Sequence, residues 1–265
     1  MSNCYIIGID IGSLSTKVAL IKDGKFMDSL IDRSTYKFKE VGNQLYQKIL
    51  EKNSILEDQI YKIVSTGYGR HSIDIAEKQI TEITAHARGA QYYFPDACSV
   101  IDIGGQDSKA ILISKKTGKV LDFQMNDKCA AGTGRFLEVM ASALEVDISE
   151  FGDLALQSEE PEEISSMCTV FAESEVISLF AQGAKKEDIA AGIHQSIAKR
   201  VGGMAKRIGA QPLLVFCGGV AKNAGVKKAL EDELGFSIER PPDPQITGAL
   251  GAALKVYDKY KKTQN

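Results

Sequence analysis

A twelve-residue segment occurs twice in this chain and constrains its fold more than any other feature. Residues 9–20, IDIGSLSTKVAL, match residues 101–112, IDIGGQDSKAIL, at six of the twelve positions and at a constant offset of 92. In both copies a β-rich run is followed by a glycine turn and a second β-rich run, which is typical of a β-hairpin. Two copies of one hairpin predict two lobes built on the same plan. The alternative is chance similarity between two unrelated hairpins.

Hydrophobic patterning around the two copies predicts a mixed α/β chain. Strands are predicted over residues 5–11, 17–21, 61–66, 99–103, 109–113, 120–125 and 213–216. Helices are predicted over residues 40–52, 80–93, 131–144, 170–181, 187–208, 222–234 and 246–260. We expect residues 1–97 together with 245–265 to form lobe I, and residues 98–244 to form lobe II.

Composition narrows the class of protein. The chain has 265 residues, of which 44% are hydrophobic and 25% charged, and a formal net charge of -3. This balance is that of an ordinary globular protein and gives no electrostatic reason to expect nucleic acid or a membrane surface as partner. The first residues lack the basic region and apolar stretch of a signal peptide, and we find no run long and apolar enough to span a bilayer. We therefore expect a cytoplasmic protein.

The turn of each repeat carries residues suited to phosphate and to a divalent metal. Glycine lets the backbone approach a ligand, and successive inward-pointing N–H groups can bind an anion. Asp10 and Asp102 end the first strand of each copy, and two facing carboxylates suit a hydrated Mg²⁺. The residues assigned to phosphate are Gly12, Ser13, Ser15, Thr16 and Lys17 in the first turn and Gly104, Gly105 and Gln106 in the second.

Two of the five cysteines precede predicted helices. Cys129 stands before the helix predicted to begin near Ala131, and Cys168 before the one predicted to begin near Val170. Unpaired N–H groups and positive potential at a helix start lower the pKa of a thiol and favour anionic ligands. The cysteine count is odd and no CxxC pair occurs, which argues against a disulfide framework. On chemistry alone, two ordinary cysteines remain the better interpretation.

A third segment and both turns resemble the superfamily of acetate and sugar kinases, heat-shock proteins and actin. Residues 215–223, VFCGGVAKN, are a buried strand that ends in Gly218 and Gly219 before a helix, and they resemble the adenosine motif of that superfamily. A helix-entry turn without a ligand is the alternative for these glycines. Residues 248–253, GALGAA, resemble its connecting helix. The resemblance implies a two-lobed, actin-like, ribonuclease H-like ATPase fold with duplicated lobes.

The segments around both cysteines resemble a narrower family. Cys129-Ala-Ala-Gly-Thr-Gly and Cys168-Thr-Val-Phe-Ala-Glu are similar to the ATPases that activate 2-hydroxyacyl-CoA dehydratases and drive benzoyl-CoA reductases, and the resemblance covers essentially the whole chain. It implies a homodimer with one [4Fe–4S] cluster between subunits. Two cysteines per chain supply the four thiolates of a cubane only across a two-fold axis. Cys4, Cys98 and Cys217 are assigned no ligand role.

The family resemblance implies an ATP-dependent, low-potential, one-electron donor. Ferredoxin or flavodoxin would reduce it, and an iron–sulfur dehydratase, a reductase or a double-cubane cluster protein would accept the electron. Gln106 is expected to position the attacking water, with Mg²⁺ held near Asp10 and Asp102 through water. The remaining residues expected to contact ATP or ADP are Asp107, Gly218, Gly219, Lys222 and Asn223. The alternative is a small-molecule, sugar-type kinase, which would share both turns but lack the cluster.

Overall fold

The computed structural model describes residues 4–165 and 168–264. Its strands are β1 (Tyr5–Ile11), β2 (Ser15–Lys22), β3 (Lys25–Arg33), β4 (Ile60–Thr66), β5 (Lys78–Gln79), β6 (Ser99–Ile103), β7 (Ser108–Ile113), β8 (Val120–Asn126) and β9 (Leu214–Cys217). Its helices are α1 (Phe38–Asn53), α2 (Glu82–Tyr93), α3 (Gly134–Ala143), α4 (Phe151–Ala155), α5 (Thr169–Ala181), α6 (Lys186–Arg207), α7 (Ala224–Leu234) and α8 (Thr247–Gln264). The predicted order of elements is confirmed, while β3, β5 and α4 were not among the predicted elements.

The chain divides into two compact units. Unit 1 comprises residues 1–97, 113–120 and 241–265, and unit 2 comprises residues 98–112 and 121–240. Each unit contains one copy of the repeated hairpin, β1–β2 in unit 1 and β6–β7 in unit 2. The two hairpins predicted from the repeat are therefore confirmed.

The two sheets follow one strand order. The sheet of unit 1 runs β3-β2-β1-β4-β5, and that of unit 2 runs β8-β7-β6-β9. In each, the first strand of the hairpin pairs antiparallel with the second and parallel with a strand from later in the chain, β4 or β9. The duplication thus extends from a hairpin to four strands, which is more than the sequence repeat alone predicted.

Helices cover both faces of the unit 1 sheet. Alternate residues of a strand point to opposite faces. Accordingly, Ile7 and Ile9 pack with α1 in one core, whereas Ile6 packs with α8 in the other. Unit 2 has one large core in which Ile101 and Ile103 of its sheet pack with residues of α3, α6 and α7. These cores fix the strand ends at which the repeated turns lie.

Glycines bring α8 into backbone contact with its neighbours in unit 1. A Cβ atom built on Gly251 would lie 1.8 Å from the carbonyl oxygen of Ala85 and 2.7 Å from the amide nitrogen of Gly89, both in α2. A Cβ atom on Gly8 of β1 would lie 1.9 Å from the carbonyl oxygen of Ala249. The small residues that the sequence placed in this helix therefore serve close packing against α2 and β1.

This packing predicts a large loss of stability for Gly251→Ala. The added methyl group would meet backbone atoms, which cannot move aside as a flexible side chain does. We expect a cost of at least about 3 kcal/mol, at the upper end for overpacked cores. Gly203→Ala is the matched control, because its Cβ would meet only Arg207 Nη1 at 3.7 Å within α6. That change should raise stability by about 0.5–1 kcal/mol. Thermal unfolding measures both, and equal melting temperatures would contradict the prediction.

Among the described residues, no helix has the length and apolar character needed to cross a membrane.

Candidate nucleotide and cluster sites

In unit 1 the β1–β2 hairpin ends in a tight turn with an ion pair at its base. The Gly12 N–H donates to the Ser15 carbonyl oxygen at 3.1 Å. Asp10 and Lys17 stand opposite each other in the strand register, and Lys17 Nζ lies 3.5 Å from Asp10 Oδ2. Asp10 is only 5% exposed. The structure therefore holds the carboxylate of Asp10 and the ammonium group of Lys17 together beside the glycine turn.

A serine from outside the predicted motif braces this turn. Ser34, which directly follows β3, donates from Oγ to the Gly12 carbonyl oxygen at 2.7 Å. Its Oγ also lies 2.9 Å from Thr16 Oγ1, and its N–H donates to the Leu14 carbonyl oxygen at 2.9 Å. The buried Thr16 hydroxyl is thus engaged in the turn itself, while Ser13 and Ser15 are partly exposed. Local sequence offers no signal for Ser34, because it reaches the turn only through strand pairing.

The turn of unit 2 repeats this arrangement. The Gly104 N–H donates to the Asp107 carbonyl oxygen at 2.9 Å. Lys109, at 2% exposure, lies 3.2 Å from Asp102 Oδ2 and 2.7 Å from Asp107 Oδ2. Lys109 takes the place of Lys17, and Asp107 adds a second carboxylate that has no counterpart in the first turn. Gln106 lies exposed at the tip of the turn.

A glycine from a neighbouring strand touches each of the two aspartates. Gly67 follows β4 with φ +90°, and a Cβ atom there would lie 2.5 Å from Asp10 Oδ1. Gly218 follows β9 with φ +87°, and a Cβ atom there would lie 2.7 Å from Asp102 Oδ1. Positive φ and this close approach both require glycine. The sequence analysis assigned Gly218 but missed Gly67, since the two segments share no motif and match only through their place in the sheet.

The predicted adenosine segment forms a short turn between β9 and α7. Gly218 is followed by a single 3₁₀ turn, Gly219–Lys222, in which Gly219 and Lys222 are exposed. Asn223 then caps α7, because its Oδ1 accepts the Val226 N–H at 2.9 Å. The structure therefore places Asn223 in a capping role, and its contact with nucleotide stays a prediction.

A buried histidine fixes the same asparagine from the neighbouring helix. His194 Nε2 of α6 lies 3.1 Å from Asn223 Oδ1, and its Nδ1 lies 2.6 Å from the Ala190 carbonyl oxygen. Burial lowers the pKa of His194, and the contacts with Ala190 and Asn223 only partly offset this effect. This histidine, which the sequence left without a role, holds the start of α7 beside the Gly218 turn.

The structure corrects the predicted position of Cys129 relative to its helix. The helix α3 begins at Gly134, so Cys129 lies in the preceding loop and not at a helix start. The first N–H groups of α3 are also occupied, since Gly134 donates to the Gly104 carbonyl oxygen at 2.9 Å and Arg135 to that of Gly105 at 2.8 Å. These two N–H groups are therefore unavailable to the Cys129 thiol. Instead, they attach the helix to the Gly104–Gln106 turn of unit 2.

The loop that carries Cys129 is braced from β8 and α6. Asn126 Nδ2 donates to the carbonyl oxygens of Cys129 and Ala131, each at 3.0 Å. Arg200 of α6 donates to Asn126 Oδ1 at 3.3 Å. Cys129 itself is partly exposed. The Cys129 thiol is therefore accessible to solvent, while hydrogen bonds fix the backbone of its loop.

Cys168 is located as predicted, at the start of a helix. It is the residue before the first turn of α5, its side chain makes no capping hydrogen bond, and it is exposed. The positive potential of a helix N-terminus therefore acts on its thiol. Ser165 donates from its N–H at 2.9 Å and from its Oγ at 2.7 Å to Glu175 Oε1 of α5. Residues 166 and 167 of the predicted motif lie outside the described residues.

Asp188 of α6 anchors the segment that leads towards Cys168. Its Oδ1 accepts hydrogen bonds from Ser158 Oγ at 2.7 Å and from the Glu160 N–H at 3.3 Å, and the Ser158 bond lowers the pKa of Asp188. A Cβ atom on Gly192 would lie 1.9 Å from the Glu162 carbonyl oxygen. The approach to the cysteine is therefore packed tightly on α6.

The helix α5 exposes an apolar face that begins next to Cys168. Only Ala172 and Val176 of this helix are buried. The exposed large residues of α5 are Val170, Phe171, Ile177 and Phe180. Exposed apolar side chains grouped in this way are typical of surfaces that contact another molecule.

The described part of this chain contains no metal site formed by a single copy of the chain. Within residues 4–165 and 168–264, no group of three or more His, Cys, Asp or Glu side chains is arranged to hold a metal ion. The two accessible cysteines are unpaired thiols. The chain thus offers two soft sulfur donors, which is half of the set that a cubane cluster needs.

Two bacterial proteins resemble this chain over nearly its whole length. The (R)-2-hydroxyglutaryl-CoA dehydratase activating ATPase of Acidaminococcus fermentans is 47% identical over 261 residues, which are 97% of this chain and 99% of that protein. The 2-hydroxyisocaproyl-CoA dehydratase activator of Clostridioides difficile is 46% identical over 260 residues, 98% of this chain and 97% of that protein.

Solved structures agree with these sequence matches. The crystal structure of the A. fermentans dehydratase component A superimposes with a TM-score of 0.93, covering 97% of this chain and 99% of the other. The C. difficile activator, solved with bound ADPNP, gives a TM-score of 0.91 over 98% and 97% of the two chains. A glucokinase of the ROK family from Streptomyces griseus, at 13% identity, gives 0.58 over 94% and 98% of the two chains and shares the fold alone.

The predicted actin-like fold is thereby confirmed. Residues 7–256 match the family model described as the BadF/BadG/BcrA/BcrD ATPase family. This match covers far more than half of the chain, as do the matches to the two dehydratase activators. The chain therefore belongs to the BadF/BadG/BcrA/BcrD ATPase family.

Proposed function

We propose that this protein is an ATP-dependent, low-potential electron donor that activates an iron–sulfur enzyme. The observation that carries the proposal is the full-length identity of 46–47% to two dehydratase activators. This chain also carries two accessible thiols, Cys129 and Cys168, which such a role needs. The sugar-kinase alternative rests on likeness of fold alone, at 13% identity.

ATP is the proposed nucleotide, and ADPNP bound to the C. difficile activator supports this choice. In unit 1 the Gly12–Thr16 turn would bind phosphate through its N–H groups. In unit 2 the Gly104–Gln106 turn would do the same, and Gln106, exposed at its tip, would orient the attacking water. Gly218, Gly219 and Lys222 would contact the nucleoside.

Mg²⁺ is the proposed metal at the aspartates, which fit its preference for a few carboxylate oxygens plus water. Asp10 and Asp102 are each held by a lysine at the base of a turn. We propose that each carboxylate contacts the hydrated ion through water. When bound, the ion supplies positive charge that stabilises the phosphate oxygens.

Cys129 and Cys168 are the proposed ligands of a [4Fe–4S] cluster shared by two copies of the chain. Their thiols fit the group, since thiolates are its usual ligands and one chain supplies only two accessible ones. When bound, the cluster supplies a single low-potential electron. The backbone bonds from Asn126 hold the Cys129 loop, and the packing on α6 holds the approach to Cys168.

A second copy of this chain is the proposed occupant of the apolar face of α5. That face begins at Cys168, and its large exposed residues carry no charge. A two-fold axis would place two such faces, and the two cysteine pairs, against each other. Homodimers bury surfaces that are more apolar than the rest of the protein.

Contacts inside unit 2 support coupling between nucleotide and cluster. The Gly134 and Arg135 N–H groups bind the carbonyl oxygens of Gly104 and Gly105. A shift of the phosphate turn must therefore move the start of α3, which directly follows the Cys129 loop. ATP and ADP can bias such a shift only if they bind the two conformations with different affinity. We propose that this difference controls when the protein engages its electron acceptor.

The proposed partners follow from the same role. Ferredoxin or flavodoxin would supply the electron, and a 2-hydroxyacyl-CoA dehydratase or a related iron–sulfur reductase would accept it. Complex formation with the acceptor should depend on whether ATP or ADP is bound.

Anaerobic purification followed by iron, sulfide and ATPase assays tests the proposal. We expect a dimer with about four iron and four acid-labile sulfide per two chains, as one cubane requires. We also expect Mg²⁺-dependent ATP hydrolysis without phosphorylation of a sugar. A protein that lacks iron after anaerobic preparation and reconstitution, yet phosphorylates a sugar, would refute the proposed role and favour the kinase.

A further inference from the structure

The turn that follows β4 in unit 1 is bound firmly to the end of β1. The Gly69 N–H donates to the Ile11 carbonyl oxygen at 2.9 Å. The buried Ser65 donates from Oγ to the Arg70 carbonyl oxygen at 2.8 Å. The segment Gly67–Arg70 is therefore fixed between the last residue of β1 and the side chain of Ser65, directly beside the phosphate turn.

Gly67 sets the distance between this segment and Asp10. Its Cα approaches so closely that a Cβ atom would lie 2.5 Å from both Asp10 Oδ1 and the Ile11 carbonyl oxygen. Gly218 approaches Asp102 and Ile103 in the same way in unit 2. There the following residues form the turn proposed for the nucleoside. By the same duplication, the residues after Gly67 lie at the functional edge of the unit 1 sheet.

Arg70 brings a positive charge to this edge. Its Nη1 donates to the Gly67 carbonyl oxygen at 3.1 Å, which folds the side chain back over the turn. A guanidinium group has five N–H donors, so one bond leaves most of them available. Within residues 4–165 and 168–264, Arg70 forms no ion pair with a carboxylate, whereas Arg88 pairs with Asp258 and Arg135 with Glu138.

An arginine held in this way is suited to phosphate. Its planar fork matches two phosphate oxygens at once, which a lysine cannot do. The nearby Lys17 ammonium group is already in contact with Asp10. Arg70 is therefore the cation of this turn region that has no acidic partner among the described residues and is partly exposed to an incoming ligand.

We propose that Arg70 binds the terminal phosphate of ATP beside the Gly12–Thr16 turn and stabilises its charge during hydrolysis. This inference rests on the proposed ATPase function. In the reaction a water oxygen forms a bond to the terminal phosphorus, the bond from phosphorus to the ADP oxygen breaks, and both water protons leave with the phosphate product as dihydrogen phosphate. Arg70 only donates hydrogen bonds in this step and transfers no proton.

Two substitutions at Arg70 test the inference in the full-length, cluster-loaded protein. Arg70→Gln should lower ATP turnover by about 100-fold or more, the usual effect of losing a donor to developing charge. It should weaken binding of a non-hydrolysable ATP analogue and leave ADP affinity within twofold of the parent. Arg70→Lys, which keeps the charge but not the fork, should give an intermediate turnover. Arg207→Gln is the control, since Arg207 is exposed and donates to Gln124 Oε1 on the surface of unit 2.

The outcomes separate this inference from the proposed function. Parental turnover in Arg70→Gln, with a parent that hydrolyses ATP, would overturn the inference alone. A parent without ATP turnover would overturn the proposed function and this inference with it. If Arg70→Gln unfolds at a lower temperature than the parent, its loss of turnover is not informative and Arg70→Lys decides the question. Parental turnover and parental affinity for the ATP analogue in Arg70→Lys would overturn the proposed phosphate contact of the Arg70 guanidinium group.

Discussion

Replacing Cys129 or Cys168 with serine should remove essentially all iron from the purified protein. A serine hydroxyl stays protonated at neutral pH and is a poor ligand for iron, whereas a thiolate binds it strongly. In a dimer bridged by one cluster, each substitution removes two of the four ligands at once. The predicted effect is therefore close to all or none, measured as iron and acid-labile sulfide per dimer after anaerobic preparation.

Cys98→Ser is the matched control for these variants. Cys98 is buried, and its Sγ donates to the Pro212 carbonyl oxygen at 3.1 Å, a hydrogen bond that a serine hydroxyl can also make. Burial also raises the pKa of the Cys4 thiol and so keeps it protonated. Both variants, Cys4→Ser and Cys98→Ser, should keep parental iron. Parental iron in Cys129→Ser would refute the bridging-cluster model, whatever the ATPase activity.

The repeated hairpins could be predicted because their chemistry is local. In a two-stranded antiparallel pair, the turn determines which residues stand opposite each other. In the register of the two hairpins Asp10 stands opposite Lys17 and Asp102 opposite Lys109, pairs that the sequence analysis did not predict. The sequence analysis assigned the positive charge of Lys17 to phosphate, whereas the structure also places it beside the carboxylate of Asp10.

Other parts of the site depend on contacts between distant segments and were missed. Gly67 and Ser34 reach the first turn only through the pairing of β4 with β1 and of β3 with β2. Nothing in their own neighbourhood distinguishes them from ordinary turn residues. The sequence also gave no sign that Asn223 Oδ1 accepts the Val226 N–H and lies 3.1 Å from His194 Nε2, while the contact of Asn223 with nucleotide stays a prediction.

The position of Cys129 shows how a helix boundary can mislead. The run of small residues after Cys129 predicts a helix that begins near Ala131, but Gly132 has φ +83°, a conformation that a helix cannot contain. The helix therefore begins two residues later, at Gly134. Gly132, a glycine inside the predicted first turn, was the feature of the sequence that could have indicated the later helix start. As a result, the N–H groups of Gly134 and Arg135 donate to the carbonyl oxygens of Gly104 and Gly105 and do not face Cys129.

Asp10→Asn and Asp102→Asn should each reduce Mg²⁺-dependent ATP hydrolysis by about 100-fold or more. An amide keeps the shape of the side chain but removes the negative charge that attracts the metal and its water shell. The loss should appear mainly in turnover, because the turns that bind phosphate remain in place. Truncation to alanine would be less informative, since it also removes the oxygen that can accept a hydrogen bond from the lysine.

The two asparagine variants differ in whether the neighbouring lysine still has a carboxylate partner. Lys109 keeps Asp107 at 2.7 Å when Asp102 is neutralised, whereas Lys17 pairs with no second carboxylate in the part of the chain that the structure describes. Asp102→Asn should therefore retain nearly parental thermal stability, and Asp10→Asn should lose more. Asp122→Asn, at an exposed position of β8, controls for removal of a surface charge. Asp102→Asn should change ATP turnover without changing thermal stability, so its turnover is the decisive measurement. A rate within threefold of the parent at saturating Mg²⁺ would mean that the turn of unit 2 does not hold the metal.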